Sequence, residues 1–226
     1  LMADAIVVVV GAAGGIGAAL HAEISAASAV DLVIGLGRPG FDLCDESSIV
    51  QAVAALPAGD LRLVINAAGL LHDGEQRPEK TLRELDPTHL ARVFAVNAIG
   101  PALLMKHFLP RLPRKGRSVF ANLSARVGSI GDNRLGGWYG YRASKAAANQ
   151  LVRTAAIELA RTHPEAICVA LHPGTVATRL SAPFVRERRP VLTPAEAARH
   201  LLAVLNGLQA ADSGNFFDWR GAPVPW

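Results

Sequence analysis

Both tyrosines of this 226-residue chain lie in GGWYGYRASKAAANQ (136–150), and one of them, Tyr141, stands four residues before Lys145. If a helix begins near YRASK, residues at that spacing share a face, so phenol and ammonium are neighbours. Tyr139 has only Ala143 at the same spacing. A free phenol, with a pKa of about 10, exchanges protons poorly at neutral pH, and a nearby ammonium lowers that value by stabilising phenolate. Tyr141 with Lys145 is therefore a candidate proton donor. Tyr139 is read as a pocket wall or a packing residue.

A second chemical signal follows the apolar run AIVVVV (5–10): the stretch GAAGGIG, with glycines at 11, 15 and 17, opening into AALHAEISAA. A turn with little side chain before a helix N-terminus lets backbone N–H groups and the positive end of the helix dipole approach a phosphate. The spacing is not the usual G-x-G-x-x-G, so a dinucleotide site and a purely structural turn both remain open here. Roughly twenty residues on, where an acid would suit the ribose hydroxyls of NAD, the chain has Arg38 in GLGRPG. A guanidinium can form paired, charge-assisted bonds to a 2′-phosphate. NADP(H) is the preferred cofactor on this reading, with NAD(H) the alternative, and a solvated arginine in a turn is the bland one.

These residues need a frame to bring them together. Strand-like runs occur at 5–10, 30–37, 61–66, 117–124 and 166–172, and none alternates cleanly, as expected of strands covered on both faces. Helix-length segments fall near 15–27, 46–56, 87–109 and 142–163, and another at 194–208 starts with the pair Thr193-Pro194. Alternating strands and helices imply an α/β fold: a Rossmann-type, doubly wound parallel sheet in three α/β/α layers. No repeat or linker divides the chain, so residues 1–226 are expected to form a single domain. Phe216, Phe217 and Trp219 read as an edge strand and its packing.

Composition narrows the function. Half the residues are hydrophobic, and 23 basic side chains against 19 acidic give a net charge of +4 spread along the chain. The short clusters RLPRKGR (111–117) and RERR (186–189) are read as solvated loops, and no nucleic-acid partner is expected, because such binding concentrates charge on one face. Cys44 and Cys168 have neither disulfide-framework nor zinc spacing; no metal is expected, and a cytoplasmic location fits. The run at 5–10 is too short to span a bilayer.

Taken with Gly11-x-x-x-Gly15-Ile16-Gly17, the motifs NAAG (66–69), FAVNAIG (94–100), YRASK (141–145) and HPGTVAT (172–178), in this order, resemble the single-domain branch of the short-chain dehydrogenase/reductase family. The segments 123–147 and 214–226 are more narrowly similar to its C-factor-like members. The resemblance implies an NAD(P)-dependent oxidoreductase of the carbonyl reductase or alcohol dehydrogenase type. Tyr141 would exchange a proton with a small-molecule carbonyl or alcohol, Lys145 would bind the nicotinamide ribose and tune the phenol, and Asn97 would hold a water relay. The cofactor would touch Gly11, Gly15, Ile16 and Gly17, with Arg38 at its phosphate. Asp42 and Leu43 would stand at the adenine, Asn66, Ala67, Ala68 and Gly69 beside the adenosine ribose, and Pro173, Gly174, Val176 and Thr178 on the nicotinamide side. A homodimer or homotetramer through the helices at 87–109 and 142–163 is also implied. A nucleotide-binding signalling or sensor protein with the same fold and little turnover is the rival reading.

In two places the chain departs from the pattern. No room exists between Arg38 and Asp42 for the helix that usually joins the second and third strands, so the adenine edge is expected to be open. Where relatives have a catalytic serine three residues before a glycine, SARVG has Ala125. Ser124 is the preferred replacement; Ser129, and no serine at all, are the alternatives. His172 is read as a hydrogen-bonded structural histidine, Trp138 as pocket wall or lid packing, and Trp226 as a candidate cover for its own or a neighbouring subunit's pocket.

Overall fold

The computed structural model describes residues 5–27, 30–74, 76–184 and 191–226; the RERR cluster lies outside the described residues. Six parallel strands are ordered β2-β1-β3-β4-β5-β6. They are β1 (Ala5–Val10), β2 (Leu32–Leu36), β3 (Asp60–Asn66), β4 (Ser118–Leu123), β5 (Ala166–His172) and β6 (Phe216–Asp218). The helices between them are α1 (Gly15–Ser25), α2 (Glu46–Ala54), α3 (Pro87–Phe94), α4 (Gly100–Phe108), α5 (Tyr139–Leu159) and α6 (Pro194–Gly207). The chain leaves β1 towards β2 and returns on the other side of β1 to β3. A crevice therefore opens at the C-terminal ends of β1 and β3, where this topology binds ligands.

Alternation along each strand divides the core in two. Val8, Val10, Val64, Phe120 and Cys168 face a cluster with Phe108 and Val152, on the side of α2, α4 and α5. Val7, Val9, Leu63, Val119 and Ile167 face Leu20, Ile24 and Leu201, on the side of α1 and α6. All six residues of β1 are buried, which is why its sequence is an unbroken apolar run. Edge strand β2 differs from that expectation: Leu32 is exposed and no residue of the strand is fully buried. The expectation that no helix joins the second and third strands is not met, because α2 does so; it starts only at Glu46, and residues 37–45 reach it from β2 in turns.

Two local features bear on the site. The long apolar segment read at 87–109 is one helical run broken by a π-helical stretch, Ala95–Ile99, centred on Asn97. Such a bulge is common at functional positions, because it re-aims a side chain without ending the helix. By length and composition the run Pro87–Arg111 would suit a membrane; here its Val93, Leu104, Met105 and Phe108 are buried in the protein core. At α6 the expected start is present: Thr193 accepts from the Glu196 N–H, and Glu196 in return accepts from the Thr193 N–H, a capping box with Pro194 next.

Candidate active site

The glycine turn sits over the crevice and is held from three sides. The N–H groups of Gly11 and Ala12 donate to the Leu36 carbonyl at 2.8 and 3.1 Å, which ties the turn to the end of β2 and sets Arg38 beside it. Gly11 has φ +81°, and a Cβ there would stand 2.8 Å from the Ala68 nitrogen, so the turn lies directly on the strand exit Asn66–Gly69. Gly15 packs on the Thr178 side chain from the third side. Helix α1 begins here with no side-chain cap and no acid in its first turn. The free N–H groups and the bare turn fit a diphosphate, and Ile16 packs inward against the α1/α6 core.

The adenine-side residues divide by burial. Arg38 is exposed and makes no hydrogen bond or ion pair among the described residues. Asp42 is exposed and accepts from the Cys44 N–H at 2.9 Å, whereas Leu43 is buried against Gly100. The Asn66 side chain is engaged within the fold. It donates to Asn122 Oδ1 at 2.7 Å and accepts from the Ala68 N–H at 3.1 Å, leaving main chain at the crevice.

Across the crevice, α5 and the π-helical stretch meet. Asn97 Oδ1 accepts from the Leu70 N–H at 2.8 Å, and its Nδ2 donates to the Leu70 carbonyl at 2.7 Å and to Ser144 Oγ at 3.1 Å. The Ser144 hydroxyl in turn donates to the Tyr141 carbonyl at 2.9 Å. Asn97 thus cross-links the exit of β3 to the turn of α5 that carries Tyr141 and Lys145. Lys145 is buried; its Nζ donates to the Leu123 carbonyl at 2.8 Å and lies 5.8 Å from the centre of the Tyr141 ring.

Burial reverses the pKa expectation for the phenol. Tyr141 is pushed up to about 12 and Lys145 down to about 8, both by loss of hydration. The lysine approaches the tyrosine ring and turns its ammonium to the Leu123 carbonyl, so desolvation outweighs attraction between the charged forms. At neutral pH Tyr141 is a protonated phenol.

The serine positions are equally informative. Ser124 Oγ donates to Asn149 Oδ1 at 2.6 Å, two helical turns beyond Tyr141 on α5. Ser129 Oγ accepts from the Asp132 N–H at 3.1 Å. Ala125, in extended conformation at the end of β4, occupies the place that lacks a hydroxyl.

Pro173 and Gly174 follow β5 directly, and Val176 is buried beside Leu192 through the Ala177 N–H···O=C Leu192 bond of 2.8 Å. The Thr178 N–H donates to Ser181 Oγ at 3.1 Å, closing this segment into a turn. Beyond it Phe184 meets Trp138 edge-on at 5.3 Å and His72 at 5.6 Å, while Trp138 meets Tyr141 at 6.2 Å. Three rings, His72, Phe184 and Trp138, thus form a wall that meets the phenol through Trp138. Trp226 stacks on Phe216 of its own chain. His172 departs from the reading as hydrogen-bonded: its buried Nδ1 has no partner among the described residues, and burial followed by Arg126 pushes its pKa down to about 4.

Several contributors were missed in the sequence. Leu70 and Leu123 act through main-chain atoms and leave no residue-type signal. Ser144 sits inside YRASK, three residues after Tyr141 on the same helix face, and could have been found by that spacing. Phe184 and His72 reach the wall only through the path of the loops.

A family model described as short chain dehydrogenase matches residues 38–189. The chain is 38% identical over 146 residues to C-signal from Myxococcus xanthus, covering 64% of this chain and 83% of that protein. It is 32% identical over 191 residues to the 1-hydroxy-2-glutathionyl-2-methyl-3-butene dehydrogenase of a Rhodococcus strain, covering 84% of this chain and 80% of the relative. Among solved structures, NADPH-bound carbonyl reductase from chicken fatty liver superposes with a TM-score of 0.88 at 28% identity, covering 100% of this chain and 95% of the other. The parallel sheet with its switch point, the glycine turn and the matched family region together place this chain in the short-chain dehydrogenase family of NAD(P)-dependent oxidoreductases, in its C-factor-like group.

Proposed function

We propose that this chain is an NADP(H)-dependent reductase of carbonyl compounds, working in reverse on alcohols, with Tyr141 as the proton donor. The observation that carries the reading is the buried Tyr141–Lys145 pair, tied through Ser144 and Asn97 to the crevice beside the glycine turn. A nicotinamide held in the crevice would supply hydride. Tyr141 holds the proton to be given to the carbonyl oxygen, Lys145 orders the ribose, and Asn97 keeps the exit of β3 in register with α5. The ring wall of Trp138, Phe184 and His72 excludes water from the phenol.

Of the three readings of the serine place, we favour the one in which no serine assists: the Ser124 hydroxyl already donates its proton to Asn149, and Ser129, whose oxygen accepts from the Asp132 N–H, is buried beyond Gly128. Ser124→Ala is then expected to change kcat/KM by less than about threefold, while Ala125→Ser raises it by as much as about tenfold, the worth of one added transition-state hydrogen bond. Steady-state kinetics with one aldehyde decides; a Ser124→Ala enzyme crippled more than tenfold would return that hydroxyl to the carbonyl.

Cofactor choice rests on Arg38, exposed beside the turn, and is supported by the NADPH-bound avian neighbour. Arg38→Asp is expected to shift preference from NADPH towards NADH by about tenfold or more, through lost pairing and added repulsion. Equal selectivity in the variant would remove Arg38 from the phosphate. We also propose a homodimer through the two long helices, whose Ile99 and Ile157 are more than half exposed; sedimentation as a monomer at micromolar concentration contradicts it.

A second reading, a nucleotide-binding signalling protein with little turnover, draws on Ala125 and on the likeness to C-signal. A panel of aldehydes and ketones followed by NADPH oxidation, beside a fluorescence titration of NADPH, separates the two. Turnover supports the enzyme, and tight binding without turnover supports the sensor.

A further inference from the structure

Glu79 is a buried carboxylate with no part in the scheme above, 3% exposed and carried on neither helix nor strand. Its Oε2 accepts from the Gly140 N–H at 3.1 Å, across 61 residues of sequence. Its main-chain carbonyl accepts from the Trp138 N–H. Its Oε1 is buried without a hydrogen-bond partner among the described residues. A helix leaves its first N–H groups without intrahelical acceptors, and Trp138, the residue at the N-cap of α5, provides no side-chain cap. Glu79 supplies that acceptor from outside, where a negative charge also suits the helix dipole.

The fit explains the glycine between the two tyrosines. A Cβ on Gly140 would stand 2.9 Å from Glu79 Oε1 and 2.9 Å from Leu90 Cδ2, so any larger residue would drive the carboxylate from its seat. It also accounts for Trp138, the only non-glycine residue with positive φ (54°) among those described. Held from the Glu79 carbonyl in the left-handed region, its indole turns onto the Tyr141 ring.

The geometry points to Glu79 as a positioning residue for Tyr141: its carboxylate fixes the first turn of α5, and its carbonyl fixes Trp138, so that the phenol is held buried with the indole against it. The proposal rests on the reading of Tyr141 as proton donor for its functional meaning, but its test does not require turnover. Because the chain has two tyrosines, Tyr139→Phe leaves Tyr141 as the sole phenol. N-acetylimidazole acetylates accessible phenols, and peptide mass spectrometry reads the product.

In the Tyr139→Phe background Tyr141 is expected to react slowly. Adding Glu79→Ala should raise its acetylation rate by about tenfold or more, the loss of one charge-assisted bond, whereas Glu79→Gln, whose amide oxygen still accepts from Gly140, should stay within about threefold. With native Tyr139, Glu79→Ala should lower kcat for an aldehyde by a similar factor and leave the NADPH dissociation constant within about twofold, and Glu79→Gln should restore kcat. Should the alanine variant fail to fold by circular dichroism, Glu79→Asp, one methylene too short to reach, takes its place with the same expected acceleration. Unchanged acetylation, or equal loss in the glutamine and alanine variants, overturns the proposal. Wild-type protein without turnover, whose Tyr141 is nonetheless protected only when Glu79 is present, overturns the catalytic reading and upholds the positioning.

Discussion

Tyr141→Phe is expected to lower kcat for carbonyl reduction by about 10²–10⁴-fold, the usual worth of a positioned general acid, with the NADPH dissociation constant within about threefold of wild type. The ring and its packing remain while the proton to be transferred is gone. Tyr139→Phe, at the exposed start of α5, should stay within about twofold. Burial holds the phenol near 12, so it keeps its proton across the whole working range. Lys145, pushed down to about 8, loses its charge first as pH rises. The basic limb of the reduction rate is therefore expected near pH 8 and reports the lysine. The sign for stability is the opposite of an ion pair's. Between about 8 and the ordinary 10.5 the unfolded chain holds a proton on this lysine that the folded chain has released, so stability rises with pH through that window. Stopped-flow rates and denaturant melts from pH 6 to 10 measure both. Equal loss in the two tyrosine variants would remove Tyr141 from the proton step, and a rate that is flat through pH 8 would remove Lys145 from control of it.

Gly17→Ala should abolish tight cofactor binding and weaken the fold. A Cβ at this position would lie 2.1 Å from the Gly11 carbonyl oxygen and 2.7 Å from its carbon. Both are main-chain atoms that cannot rotate away, and the same carbonyl accepts from the Gly14 N–H at 2.9 Å. Relieving the clash moves the whole turn off the exit of β3. A stability loss of about 1–3 kcal/mol is expected from overpacking. The NADPH affinity should fall by about tenfold or more, since the N–H groups that fit the diphosphate are displaced. Gly207→Ala, where a Cβ meets nothing within 4 Å, serves as the control and should stay within about 0.5 kcal/mol of wild type. Calorimetry of binding and urea unfolding measure the pair; a Gly17→Ala protein with native affinity would show that the turn does not hold the cofactor.

What the sequence determined by itself was whatever depends on near neighbours. A strand buried on both faces must read as a continuous apolar run, and β1 does so in AIVVVV. A helix places residues four apart together, which puts Tyr141 beside Lys145. Thr193 and Pro194 announced the start of α6, because an N-cap residue and the proline after it are neighbours in sequence. Tertiary structure decided the rest. The first turn of α5 precedes YRASK because its acceptor, Glu79, arrives from 61 residues away. Ser124 turns to Asn149, and Asn97 is gripped by main-chain atoms of Leu70, partners that no residue type in the sequence marks. The phenol's pKa rises although a lysine stands beside it, because charge stabilisation depends on where the ammonium points and desolvation depends on everything packed around it. Spacing along a chain carries the first kind of information through fixed helix and strand geometry; burial and long-range hydrogen bonding exist only once the layers have closed.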